Sequence, residues 1–267
     1  MRDPGAAWGA RLVTRGYTAG AETSDPGEAA ALARLGPALD GARVLDVGVG
    51  VGRTTALLAP RAGHYVGIDV APRMVEQARA AHPGVDLRVG DARDLRPVAA
   101  DASFDLAVFS LNGIDAVDHA ERARVVAELR RVLVPGGRVL VSTHSLDAPG
   151  TLGAPSLRHA LRRNGNGSVP VRAARPAYRL GMHAVSLRYW RRRPADLPRG
   201  DGWAMWPLPA HEFRFVCHRI RFSTWVAQLR ATGLEPEAAW TRDGEPLALD
   251  AERTTAVYVH VLALAAA

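Results

Sequence analysis

Residues 44–55, Val44-Leu-Asp-Val-Gly-Val-Gly-Val-Gly-Arg-Thr-Thr55, constrain this chain more than any other segment. A short apolar strand runs directly into a turn with glycine at alternate positions, Gly48, Gly50 and Gly52, and then into a helix start. Without Cβ atoms, such a loop takes torsions closed to other residues and lets a ligand lie against backbone, above the N-terminus of the next helix. A second apolar run, His64-Tyr-Val-Gly-Ile-Asp69, ends in an acid. At this distance from a glycine loop a carboxylate can accept from both hydroxyls of a ribose. The glycines alone would serve equally as a tight strand-to-helix turn. Joined to Asp69, they indicate an adenosine-like ligand.

The spacing narrows which adenosine. A dinucleotide loop uses G-x-G-x-x-G to bring helix-terminal N–H groups onto a pyrophosphate, whereas this loop reads G-x-G-x-G with Asp46 immediately before it. A carboxylate so placed repels a pyrophosphate and suits a ligand carrying an ammonium or a sulfonium. S-adenosyl-L-methionine carries both. A nicotinamide oxidoreductase, the nearest rival enzyme, is further disfavoured because the chain contains no lysine and so has no Tyr-x-x-x-Lys dyad. In Gly90-Asp91-Ala92 the Asp91 carboxylate can accept from an adenine amine and the Ala92 N–H can meet a ring nitrogen, although Asp91 alone would serve equally as a helix cap.

From Arg43 to Val141 continuous apolar runs alternate with helical patterns, as in a parallel sheet covered on both faces. Strands are expected at 43–47, 64–69, 85–90, 104–110 and 138–143, and helices near 54–62, 72–81 and 120–133. The spacing predicts an N-terminal helical cover over 1–40, with its helix at 28–39, and a cofactor-binding core over 41–144. An irregular acceptor-side insertion follows over 145–211, with its helix at 186–193, and then a C-terminal completion of the core sheet over 212–267. In that last part a strand or extended segment at 212–220, a helix at 223–232 and strands at 234–241 and 255–264 are expected. The final strands are joined by the turn Asp243-Gly244, which makes an antiparallel edge.

Residues 44–142 resemble the class I, Rossmann-like S-adenosylmethionine-dependent methyltransferases. The resemblance rests on residues 45–55, Gly67-Ile-Asp69 followed by Met74, Gly90-Asp91, Phe104-Asp-Leu-Ala-Val-Phe-Ser110 and Arg131-Val-Leu-Val-Pro-Gly-Gly-Arg-Val-Leu140, in the family's order. It implies an α/β fold, doubly wound, with a mainly parallel seven-stranded sheet and an antiparallel last strand. It also implies methionine-moiety binding at Asp46 and Gly48, ribose binding at Asp69, and adenine contacts from Val70, Met74, Asp91 and Ala92. Ser110, Leu111 and Asn112 would face the transferred methyl, and Tyr17 would close over the cofactor as an N-terminal aromatic does in many relatives.

Methyl transfer from a sulfonium is an in-line displacement, so such an enzyme mainly aligns its reactants in a dry site. For a phenol, alcohol or protonated amine a base near the methyl would help. The candidates are Asp115 and His119 after the fourth strand, His144 after the fifth, and His218. His144 stands first because ligands bind at the carboxyl ends of parallel strands. Aromatic residues of the insertion, Tyr178, His183, Tyr189, Trp190, Trp203 and Trp206, would either wall a small-molecule acceptor pocket or pack the insertion onto the core.

With 48% hydrophobic and 23% charged residues the chain is expected to fold as a soluble globular protein. One cysteine, Cys217, excludes an internal disulfide framework, and no apolar run suits a membrane span, so a cytoplasmic enzyme is expected. The net charge of +7 comes from arginines scattered along the chain, which reads as compositional bias and argues against a nucleic-acid partner. Ser110-Leu-Asn-Gly113 also lacks the Asn-Pro-Pro-aromatic pattern used on flipped adenines. The sequence leaves open a homodimer, an RNA or peptide acceptor, and a non-catalytic scaffold that retains the fold.

Overall fold

The computed structural model describes residues 24–157, 169–209 and 213–266, and of 169–179 the backbone. Tyr17 and the side chain of Tyr178 lie outside the described residues. The first helix, α1 (Pro26–Leu35), starts where Pro26 fixes the torsion of its first turn and the Asp25 side chain accepts from the Glu28 N–H at 3.0 Å. A 3-10 turn, Gly36–Leu39, leads into the sheet.

There the chain alternates β1 (Arg43–Val47), α2 (Arg53–Leu58), β2 (His64–Asp69), α3 (Pro72–Ala81), β3 (Leu87–Val89), β4 (Phe104–Phe109), α4 (His119–Val132) and β5 (Leu133–His144). It continues through α5 (Val169–Arg192), β6 (Arg199–Gly200), β7 (Trp203–Pro207), β8 (Val216–Ile220), α6 (Phe222–Ala231), β9 (Leu234–Thr241) and β10 (Tyr258–Ala265).

The seven-stranded sheet has the order β3-β2-β1-β4-β5-β10-β9. β1 to β5 are parallel, and β10 runs antiparallel to both β5 and β9, as expected for the last strand. Strand side chains alternate between faces, so β1 sends Leu45 and Val47 into a layer with Phe109, Leu129 and Trp225, and Val44 into the opposite layer with Leu58, Val75 and Leu140. Both faces are thus apolar and covered, which explains the continuous apolar runs in sequence. The strand order reverses between β1 and β4, and the crevice at their carboxyl ends is where a doubly wound sheet receives its ligand.

Three expectations shift. The segment expected to complete the core sheet over 212–220 instead pairs, as β8, with β7 in a separate three-stranded sheet of order β6-β7-β8. It finds a full ladder there, and meets the core where Leu146 N–H donates to the Ile220 carbonyl at 3.0 Å. The insertion helix is longer than 186–193, reaching back to Val169. The Asp243-Gly244 turn forms, but the chain then runs beside β9, with Leu247 N–H donating to the Ala239 carbonyl at 2.8 Å, and touches α6 before returning as β10. No helix among the described residues is long and apolar enough to cross a membrane.

Candidate functional site

At the carboxyl end of β1 the three glycines adopt positive φ, 70° at Gly48, 56° at Gly50 and 95° at Gly52, but for different reasons. A Cβ on Gly48 would lie 2.9 Å from the Phe109 ring, and one on Gly52 would lie 2.5 Å from His82. Above Gly50 no described residue comes within 4 Å. The outer two glycines are required by packing, while the central one faces open space of the kind a ligand fills.

Gly50→Ala is accordingly expected to cost only about 1 kcal/mol of stability, the penalty of a left-handed alanine, while weakening cofactor binding at least tenfold. Gly52→Ala, which drives a methyl into His82, is expected to lower the melting temperature several degrees more. Thermal denaturation and calorimetric titration of the pair check this; equal losses in both would remove the distinction.

Asp69 closes the cradle from the end of β2. Its Oδ2 accepts from Gly50 N–H at 2.9 Å and its Oδ1 from Ala71 N–H at 2.8 Å, so the carboxylate is pinned with one lone pair per oxygen still free. Burial raises its carboxyl above the ordinary aspartate value. Met74 is buried on α3 and Ala92 is nearly so. Val70 is half-buried beside them. Asp91 is held by Arg93, whose Nη2 donates to Oδ2 at 2.6 Å and whose backbone N–H donates to Oδ1 at 2.9 Å.

Asp46 lies under the loop, 1% exposed. Tyr65 donates to its Oδ2 at 2.7 Å, and Thr55 in turn lies 2.9 Å from the Tyr65 hydroxyl. Burial pushes the Asp46 carboxyl up to about 7. Its Oδ1 has no hydrogen-bond partner among the described residues, and neither has Oδ1 of buried Asn112. An orphaned acidic oxygen below the loop, an open space over Gly50 and a pinned diol acceptor at Asp69 together fit an adenosine ligand with a cationic amino-acid end.

The sequence reading missed the other wall. Glu28 of α1, 1% exposed, takes Arg53 on both carboxylate oxygens, with Nη2 to Oε1 at 2.8 Å. Ser110 Oγ accepts from Arg53 Nη2 at 3.0 Å and itself donates to Glu28. The only signal was an acid on the covering helix and an arginine after the last glycine, far apart in sequence. Asp25 ties the same helix to β10, accepting from Tyr258 Oη at 3.0 Å and lying 2.9 Å from His260 Nε2.

After β4 the chain turns through two left-handed non-glycine residues, exposed Leu111 with φ 46° and buried Asn112 with φ 59°. Such torsions cost of order 1 kcal/mol each and persist only where the surroundings impose them. Here Asn112 N–H donates to Ser142 Oγ on β5 at 2.7 Å, which anchors the turn beside the neighbouring strand.

The candidate bases separate. Asp115, in the 3-10 turn Gly113–Ala116, is fully buried, and both its oxygens are occupied by Arg122, Thr143 and His144. It has no edge left for an acceptor, which corrects the expectation that it could act as a base directly. His218 is also fully buried, and burial pulls it down to about 3. Its Nε2 lies 2.9 Å from His119 Nδ1, and the His119 ring stacks on Trp203 with centroids 3.6 Å apart. These rings join α4 to the small sheet. His144 sits at the carboxyl end of β5, its side chain 11% exposed. Among the insertion's aromatics, Trp190 meets Trp206 and Phe213 edge to face at 5.7 and 5.5 Å, so these residues pack α5 onto the small sheet.

The family described as a methyltransferase domain matches residues 44–137, the stretch from β1 into β5 that carries the cradle. Over that stretch the chain is similar to a methyltransferase domain. Over 116 residues, 43% of this chain and 21% of the relative, it is 40% identical to the biotin biosynthesis bifunctional protein BioHC of Cellvibrio japonicus. Over 174 residues, 64% of this chain and 58% of the relative, it is 34% identical to the trans-aconitate 2-methyltransferase of Methylobacterium nodulans. The chain thus spans less than two thirds of the length of these curated relatives. The fold of SAM-bound CalS10, an amino pentose methyltransferase of Micromonospora echinaspora involved in calicheamicin biosynthesis, superposes with a TM-score of 0.54 at 18% identity, covering 96% of this chain and 97% of that one.

Proposed function

We propose that this chain transfers a methyl group from S-adenosyl-L-methionine to an oxygen, nitrogen or carbon nucleophile of a small molecule, in bacterial specialised metabolism. The open space over Gly50, flanked by Asp69, carries this reading. Asp69 would take the ribose diol, Asp46 and the Gly48 loop the amino-acid end, and Val70, Met74, Asp91 and Ala92 the adenine. When bound, the cofactor supplies an electrophilic methyl on a sulfonium. The protein's part is to hold the acceptor in line with it and exclude water. Ser110, Leu111 and Asn112 would border the methyl, and His144 is the candidate base with an accessible ring. A trans-aconitate methyltransferase among the relatives supports a small acceptor.

The reading is tested by calorimetric titration with S-adenosylmethionine, S-adenosylhomocysteine and NADPH; binding of NADPH alone would overturn it. Asp46 adds a pH signature. Its carboxyl titrates near 7 in the free protein, and a cationic ligand favours the ionised form. Affinity for S-adenosylhomocysteine, which keeps the ammonium, is therefore expected to be flat above pH 8 and to fall by a factor approaching ten per pH unit below 7. Stability moves oppositely: a carboxyl raised on folding contributes stability that is fully present below its ordinary value of 3.8 and is lost as pH rises from there through about 7. Asp46→Asn is expected to flatten both profiles. A wild-type affinity unchanged from pH 8 to 6 would remove Asp46 from the ligand's cationic end.

A further inference from the structure

Beside the cofactor cradle lies a buried polar cluster that the methyltransferase reading does not require. Arg122 of α4 is fully buried, with its guanidinium 4.4 Å above the Trp225 ring. Its Nη1 donates to Asp115 Oδ1 at 2.8 Å, and its Nη2 to Thr143 Oγ1 at 2.8 Å. Thr143 donates onward to the same Asp115 Oδ1 at 2.6 Å. The other carboxylate oxygen, Oδ2, accepts from the His144 backbone N–H at 2.7 Å and lies 2.8 Å from His144 Nδ1. Burial alone would push the Asp115 carboxyl up, but the hydrogen bond from His144 and the charge of Arg122 hold it down at about 2.

An ionised carboxylate can only accept, so Nδ1 of His144 must carry the proton. Nε2 is then the bare nitrogen, and it has no hydrogen-bond partner among the described residues, while the side chain at the carboxyl end of β5 keeps 11% of its surface exposed. We infer that Arg122 and Thr143 are positioning residues that hold Asp115 ionised and fix the His144 tautomer, making Nε2 a base for an acceptor that carries its proton on oxygen or nitrogen. In the step, the acceptor's O–H or N–H proton passes to Nε2 while the acceptor's lone pair forms the bond to the methyl carbon. The electron pair of the broken C–S bond stays on sulfur. This inference rests on the methyltransferase reading and specifies its acceptor class.

Asp115 lies on one side of the His144 ring, Tyr258 of β10 meets it edge-on at 5.9 Å, and Arg122 and neutral His218 stand behind Asp115. Arg122 is the cation that offsets the carboxylate. Removing it frees Asp115 to turn away from the ring, so Arg122→Met is expected to raise the share of neutral His144 protonated at Nε2.

Nitrogen-15 histidine spectra of the protein saturated with S-adenosylhomocysteine measure this, with His144→Gln identifying the signal. In the wild type the neutral ring is expected to be protonated at Nδ1. Thr143→Val, which removes a single donor from Asp115, is expected to raise that share by less and decides the matter if Arg122→Met does not fold. A wild-type ring protonated at Nε2, or a tautomer share unmoved in the folded variants, would overturn the inference even where calorimetry upholds cofactor binding.

An acceptor screen tests the substrate class. Hydroxyl and amine acceptors are expected to lose about a hundredfold or more in kcat with His144→Gln. Their turnover at wild-type rate in that variant would overturn the assignment of the base.

Discussion

Asp69→Ala is expected to weaken S-adenosylhomocysteine binding by about a hundredfold or more, the loss of two hydrogen bonds to a charged acceptor at roughly 1.5 kcal/mol each. The carboxylate already accepts from Gly50 and Ala71 N–H groups, so part of the effect would come through the loop. Asp69→Asn separates the two. An amide oxygen can keep one backbone donor, but its NH₂ cannot accept from a ribose hydroxyl. The amide variant is therefore expected to retain most of the melting temperature while still losing at least tenfold in affinity. Isothermal titration and thermal denaturation of both variants provide the readings. Full affinity in Asp69→Asn would show that the residue shapes the loop without touching the ligand, and the diol assignment would fall.

The features that fix this half of the site were readable in the chain because each is local. A strand, a glycine turn and the acid ending the next strand lie within residues 44–69, and their torsions and burial follow from short-range rules. The order of strands β1 to β5 follows similarly from alternating apolar runs and helices. What sequence could not show depends on pairing between distant segments. Val216–Ile220 reads as well for the edge of the large sheet as for a partner of Trp203–Pro207, since a ladder needs only a compatible neighbour. Arg122 looks like one more solvated arginine on a helix, because arginines are rarely buried unless paired, and its partners Asp115 and Thr143 come from a turn and another strand. The candidate bases were found by type, but which of them keeps an accessible nitrogen is set by those partners.

The contact least visible in sequence carries the largest expected stability effect. Glu28 and Arg53 bury opposite charges where α1 crosses the glycine loop, with side chains 1% and 10% exposed. Removing one member of such a pair strands the other without solvent, at a cost of about 3–5 kcal/mol. Glu28→Ala is therefore expected to lower the melting temperature by roughly 10 °C in a chain of this size. It would also release Ser110, which hydrogen-bonds both members, so cofactor affinity should fall as well. The double variant Glu28→Ala with Arg53→Met removes the stranded charge and is expected to recover a substantial part of the stability. Its affinity should not recover, because α1 no longer braces the loop after β4. A double-mutant cycle on unfolding free energies measures the coupling directly. A coupling below about 0.5 kcal/mol would mean that helix and loop hold their places by the apolar packing of Ala31 and Leu35 and the Asp25 contacts to β10, and that the ion pair is incidental to the site.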